Sequence, residues 1–171
     1  LLPNRVTFLC LLSACSHSGM LDDAQMIFGS MIEKSGITPD VEHHTCMVVA
    51  FGCAGCFDDA IAMIKVVPSS DYTIWLALLG ACKKWSNVKL GRLVFDQIVQ
   101  LECSSAAAYI LMANIFSAAG MQRDLEKIEA MRLKYAPGMP HMSKREFMIR
   151  DTNCLHFSED DCGATNLECP T

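Results

Sequence analysis

The residues best suited to chemistry in this sequence are cysteines and histidines in its first third. Cys53 and Cys56 have the two-residue spacing found in zinc sites and redox-active dithiols, and His43, His44 and Cys46 lie nearby. A structural zinc ion needs four ligands, usually supplied by two such pairs. A single pair on a turn between two predicted helices does not supply them. We therefore expect a plain turn with two incidental cysteines and no metal or other cofactor.

Two other catalytic arrangements fail on spacing. A zinc-dependent deaminase needs His-x-Glu followed by Pro-Cys-x-x-Cys, whereas His156 and Glu159 are too far apart and no such cysteine pair follows them. Cys15 and His17 lie two positions apart on a predicted helix, so they do not face each other. We expect Cys15 in the core, His17 on the surface, and a chain that is not an enzyme.

Composition and charge exclude further classes. Hydrophobic residues make up 51% of the 171 residues, which is enough for a core, and no apolar run is long enough to cross a membrane. The net charge is −5, while a nucleic-acid-binding domain usually carries a basic excess, so any binding cannot depend on net positive charge. Of the ten cysteines, Cys15, Cys46 and Cys82 lie inside apolar runs, which is typical of free thiols in a reduced protein rather than of a disulfide scaffold.

Short segments of the sequence recur at regular offsets. The segment 11–15 matches 78–82, and the segment 19–24 matches 55–60 at an offset of 36 residues. A ring residue opens each of four units at intervals of 36, 31 and 34 residues: Phe8, His44, Trp75 and Tyr109. We expect these rings to pack between units rather than to stack on nucleic-acid bases, because aromatic residues at fixed repeat positions usually fill the core.

Each unit has the apolar spacing of two helices joined by a short turn. The first helices are predicted at 6–17, 43–53, 73–85 and 107–118, and the second helices at 21–34, 57–66, 88–101 and 123–134. One pair cannot bury its own apolar face, so the units must stack. The predicted fold is all-α: an α-solenoid of helix–turn–helix repeats, forming a right-handed superhelix, with an irregular C-terminal tail over 138–171 that contains a hairpin followed by a disordered end.

Several strings resemble the plant pentatricopeptide repeat family, in particular the PLS subfamily with its C-terminal E domain. They are Pro3–Phe8, Leu12–His17, Gly36–Pro39, Val41–His44, Trp75–Cys82 and Ala113–Phe116. The resemblance divides the chain into the end of a preceding repeat (1–4), a long and a short repeat (5–71), two degenerate E-domain units (72–137) and a diverged tail (138–171). Tetratricopeptide repeats are the nearest rival, but their period stays near 34 residues.

The resemblance implies that this chain is the C-terminal part of a protein that binds single-stranded organelle RNA, with one base bound per repeat. It also implies a location in the mitochondrion or the chloroplast. Such proteins direct C-to-U editing, and their E-type units dock a deaminase-domain protein and accessory factors. The matching base-reading residues are Thr45 with Asp71, which would favour a purine, G in particular, and Leu9 with Asp40. Leu9 cannot hydrogen-bond to a base, so we expect little specificity from the first repeat. The alternative is a protein–protein adaptor without useful RNA affinity.

The resemblance weakens after the last unit. The stretch Pro140–Lys144 stands where the family carries a Gly-Cys-Ser-Trp-type box, with Lys144 in place of the tryptophan. We therefore interpret the tail as a diverged form of the segment that follows the E domain in this family.

Overall fold

The computed structural model describes residues 3–67 and 71–136, and these form α-helices joined by short turns, with no strand. The helices are α1 (Arg5–Ser18), α2 (Leu21–Glu33), α3 (Val41–Ala54), α4 (Phe57–Val66), α5 (Tyr72–Lys84), α6 (Val88–Leu101), α7 (Ala106–Ala118) and α8 (Gln122–Tyr135). The all-α prediction is confirmed, and every predicted helix end lies within two residues of the observed one. The predicted hairpin and disordered tail fall outside the described residues.

Capping residues fix where the first helix of a pair begins. Asn4 accepts a hydrogen bond from the Thr7 amide before α1, Asp40 accepts two from backbone amides of α3, and Asp71 accepts one from the Thr73 amide before α5. Such side chains satisfy amides that have no partner within the helix. Helix α3 begins two residues earlier than predicted because Asp40 caps it. Positions counted from Asn4, Asp40, Asp71 and Ser105, which precedes α7, are therefore equivalent.

The first helices form one layer of the stack and the second helices another. α1 contacts α3, α3 contacts α5, and α5 contacts α7, while each second helix packs against the first helix of its own pair. Helices α2, α4 and α6 also contact the first helix that follows them. This two-layer arrangement is an α-solenoid. No helix within the described ranges is long and apolar enough to span a membrane.

The core is a continuous seam between successive first helices. The third, seventh and eighth positions after the capping residue are buried in α3, α5 and α7: His43, Met47, Val48, Ile74, Leu78, Leu79, Ala108, Met112 and Ala113. Each of these helices therefore buries the same three positions, and burial of this kind supplies most of the stability of short helices.

The four ring residues do not share one environment. Phe8 and Tyr109 are buried, and the Tyr109 ring meets Phe95 edge-on with centroids 5.2 Å apart. His44 and Trp75 are only half-buried. His44 nevertheless meets the Phe28 ring of α2 edge-on, with centroids 5.4 Å apart, so it packs against the preceding pair. The predicted packing between units is therefore confirmed for His44 and Tyr109, whose ring partners lie on the second helix of the pair before, and Phe8 is buried as expected.

Helices α3 and α5 cross closely at a glycine. A Cβ atom added to Gly52 would clash with the Cβ of Ala81. The end of α5 also binds the end of α3: the Trp85 indole donates to the Gly52 carbonyl at 2.9 Å, and the Lys84 amine donates to the Cys53 carbonyl at 3.2 Å. Gly55, with φ of 81°, lies against the Trp85 ring. These contacts tie the second helix pair to the third.

We expect Gly52→Ala to lower the free energy of unfolding by about 1–3 kcal/mol, because the added methyl group overpacks the crossing. Gly80→Ala is the matched control, since Gly80 lies within α5 and nothing surrounds its missing Cβ. There the better helix propensity of alanine should raise the free energy of unfolding by up to about 1 kcal/mol. Urea unfolding followed by circular dichroism measures both. Equal stabilisation by the two substitutions would contradict the close crossing.

Candidate functional site

One half-buried side chain per helix pair lies at the fifth position after the capping residue. These are Leu9, Thr45, Leu76 and Ile110, on the four consecutive first helices. We call this set the fifth-position row. Because the first helices contact one another in order, the row offers one contact per unit to an extended ligand. Only Thr45 adds a hydrogen-bonding group to it.

The Thr45 hydroxyl has a defined hydrogen-bonding state. Its Oγ1 donates to the Val41 carbonyl of the preceding turn at 2.8 Å. The single hydroxyl hydrogen is therefore used within α3, while the oxygen lone pairs remain available. In this conformation, Thr45 offers a ligand a hydrogen-bond acceptor.

Asp71, the predicted partner of Thr45, lies just before α5 and is half-buried. Its Oδ1 accepts a hydrogen bond from the Thr73 amide at 2.9 Å. An ionised carboxylate has about four lone-pair sites, so capping α5 leaves others for a ligand. Thr45 lies on α3 and Asp71 caps α5, and these two helices contact each other. Both side chains present hydrogen-bond acceptors to a ligand.

Asp40, the predicted partner of Leu9, has the same position before α3 but more contacts. Its Oδ1 accepts hydrogen bonds from the amides of Glu42 and His43 at 3.1 and 3.2 Å, and the His43 Nδ1 lies 2.6 Å away. Its Oδ2 faces the Arg5 Nη1 at 3.7 Å. Burial alone would raise the pKa of Asp40, but the hydrogen bonds from the His43 side chain and backbone outweigh it, and the pKa is lowered from 3.8.

Arg5 and His43 were not identified as site residues from the sequence. His43 is buried, and its Nε2 lies 3.0 Å from the Arg5 carbonyl oxygen; the Arg5 Nη2 donates to the Thr38 carbonyl at 3.0 Å. The His43 Nδ1 also lies 3.5 Å from the Asp40 backbone amide, so Asp40 and His43 form a capping box in which each side chain faces the backbone of the other. The only available signal was that His43 stands three residues after an N-cap aspartate, the position of a capping box.

The cysteines have the structural surroundings of turn and core residues. Cys53 is near the end of α3, and Cys56 immediately precedes α4. Within 3–67 and 71–136, no three His, Cys, Asp or Glu side chains are grouped to hold a metal ion. Burial raises the pKa of the Cys82 thiol to about 12, so it stays protonated at neutral pH. Cys15 is buried and His17 is exposed, as predicted.

The second half of the row is apolar. Leu76 and Ile110 are aliphatic, and their neighbours Ala77 and Leu111 are also half-buried. An ion pair outside the row joins α6 to α8, with the Arg92 Nη2 2.9 Å from the Asp124 Oδ2. This half of the row can contact a ligand through apolar surface but cannot read a base edge by side-chain hydrogen bonds.

Two family models match the chain. The model of the PPR repeat matches residues 6–35, and the model of the E motif matches residues 85–140. Neither family is a catalytic one.

Curated relatives extend this similarity over most of the chain. A chloroplastic pentatricopeptide repeat-containing protein of Arabidopsis thaliana is 37% identical over 158 residues, or 87% of this chain and 21% of the relative. A mitochondrial one from the same plant is 32% identical over 156 residues, or 91% of this chain and 24% of the relative. A third is 38% identical over 133 residues, or 77% of this chain and 22% of the relative.

The chain thus spans about a fifth of the length of the curated relatives that it matches. The repeat match, the E-motif match and the relatives agree with the stacked helix pairs of the structure. The chain belongs to the pentatricopeptide repeat family and carries the E motif that is consistent with its PLS subfamily.

Proposed function

We propose that this chain is the C-terminal part of a sequence-specific organelle RNA-binding protein that directs C-to-U editing. In this proposal, a long and a short repeat over 5–71 contact single-stranded RNA, and the E-type units over 72–137 dock a deaminase-domain protein or accessory factors. The observation that carries it is the fifth-position row, which has a polar residue at Thr45 and is aliphatic at Leu76 and Ile110.

The hydrogen-bonding state of the short repeat favours guanine. Thr45 presents an acceptor because its hydrogen is bound to the Val41 carbonyl, and the Asp71 carboxylate is also an acceptor. Guanine offers two adjacent donors, N1–H and N2–H, on its Watson–Crick edge. The other three bases place an acceptor beside their donor there. Two protein acceptors therefore match guanine best, on the edge that RNA-binding repeats read.

The long repeat contributes contact with little specificity. Its row residue, Leu9, has no polar atom, although Asp40 occupies the position equivalent to Asp71. With one fully polar pair and a net charge of −5, the chain should bind RNA weakly and best at low salt.

The E-type units provide the protein-binding surface in this proposal. Leu76 and Ile110 would contact an apolar patch of the partner, which supplies the deaminase chemistry. Relatives named chloroplastic and mitochondrial support an organelle location. A second candidate function is a protein–protein adaptor without useful RNA affinity, favoured by the negative net charge and by the three aliphatic residues in the row.

The RNA half of the proposal predicts that Asp71→Asn lowers the preference for guanine over adenine about tenfold, because the amide replaces an acceptor with a mixed donor and acceptor. Asparagine caps helices as well as aspartate does, so the free energy of unfolding should stay nearly unchanged. Fluorescence anisotropy at low salt with short single-stranded RNAs, differing at one nucleotide, measures this preference.

Asp58→Asn is the control for charge, since Asp58 is exposed in the first turn of α4 and changes the net charge equally. It should leave the base preference intact. If the wild-type chain binds none of the RNAs, the result contradicts the RNA-binding proposal and favours the protein–protein adaptor.

The proposed docking role predicts a loss of protein binding that is separate from RNA binding. Replacing Leu76 and Ile110 together with Asn should weaken binding of a purified deaminase-domain protein by roughly tenfold or more, because two apolar contacts are lost. Binding of RNA at the repeats should change little. Leu93→Asn, at a 60% exposed residue of α6, is the control. Equal loss with the control, or no loss with the double variant, would contradict docking at the row.

A further inference from the structure

We infer that Arg5 and His43 determine specificity by holding the Asp40 carboxylate at the start of α3 and withholding it from RNA bases. The first repeat then selects no base at either of its base-facing positions. Leu9 has no hydrogen-bonding group, and Asp40 is held by Arg5 and His43 in a set of contacts that we call the clasp. The inference rests on the proposed RNA-binding function and names residues that control it.

The first oxygen of Asp40 is fully used inside the protein. Its Oδ1 takes hydrogen bonds from two backbone amides and lies 2.6 Å from the His43 Nδ1. The two amides alone already match the two lone pairs of one carboxylate oxygen. A base can therefore approach only Oδ2.

The second oxygen of Asp40 faces a cation. The Arg5 Nη1 is 3.7 Å from Oδ2, an ion-pair distance, so a base N–H must approach this oxygen beside a guanidinium that neutralises its charge. Arg5 is itself held, because its Nη2 donates to the Thr38 carbonyl and its own carbonyl oxygen contacts the His43 Nε2. The clasp is therefore a closed set of contacts between the beginnings of α1 and α3.

The equivalent carboxylate of the next repeat has no such clasp. Counted from the capping residues, Val41 stands at the position of Arg5, and Ile74 stands at the position of His43. Neither can pair with a carboxylate. Among contacts with described residues, Asp71 accepts one hydrogen bond, from the Thr73 amide. Two substitutions thus separate an occupied carboxylate from an available one.

The test introduces into the long repeat the residues that stand at the equivalent positions of the short repeat. Leu9→Thr alone should leave base preference at the nucleotide facing the first repeat unchanged within about twofold, since Asp40 stays withheld. Leu9→Thr with Arg5→Val and His43→Ile should create a preference for guanine there of about tenfold. The experiment uses the whole 171-residue chain and short single-stranded RNAs that vary at that nucleotide, and fluorescence anisotropy at low salt measures binding.

Several outcomes would overturn the inference. If Leu9→Thr alone creates the preference, Asp40 was already available. If the triple variant shows no preference for guanine at the first repeat while Thr45 and Asp71 still select guanine in the same RNA, the clasp is not the cause of the missing specificity. Leu9→Thr with Arg5→Lys is the conservative variant, and it should remain silent because the cation is kept. Circular dichroism confirms that each variant is folded; isoleucine at 43 matches the buried Ile74 of the next pair.

A second measurement separates this inference from the proposed function. If no variant binds RNA, the proposed function is wrong, and carboxylate NMR of Asp40 decides whether the clasp exists. The pKa of Asp40 should lie below its usual 3.8 in the wild type and rise in the Arg5→Val, His43→Ile variant. Since the folded pKa is lowered, the clasp stabilises the protein above the ordinary pKa and is lost as the pH falls through the lowered one. An unchanged pKa of Asp40 would refute the clasp.

Discussion

Each helix pair of this chain depends on its neighbours, because a short amphipathic pair cannot bury its own apolar face. The seam between successive first helices satisfies this constraint. His43, Ile74 and Ala108 occupy one depth of the seam although they differ in size and polarity. A capping side chain marks the start of α3 and of α5, whereas Ser105 precedes α7 without such a hydrogen bond, and the same position is buried in all three helices.

The seam also decides which side chains stay accessible. Burying the third, seventh and eighth positions turns the fifth position of each first helix towards the edge of the seam, where Leu9, Thr45, Leu76 and Ile110 are half-buried. A row of single contacts is thus a by-product of stacking, and its chemistry varies without disturbing the core. Asp40 contacts Arg5 and His43, whereas Asp71 accepts a single hydrogen bond from the part of the chain that the structure describes, so two equivalent positions can differ in their surroundings.

The helices and their order were predictable from the sequence, because apolar periodicity and turn glycines are local signals. The burial of His43 instead of His44 was not, since adjacent residues on one helix are separated only by the direction from which the neighbouring helix approaches. Thr45 and Asp71 were proposed as base-reading residues by resemblance alone, and the hydrogen bonds around them could not be predicted from the sequence. The clasp was invisible because the contact between Arg5 and Asp40 exists only when two helix ends, far apart in sequence, meet in the fold.

The bonds from Trp85 and Lys84 to the end of α3 have a consequence for distance. They attach the beginning of the E motif directly to the helix that carries Thr45. Under the proposed function, the distance between a nucleotide at Thr45 and a protein docked on the E-type units would be set by the stacked helix pairs rather than by a flexible linker.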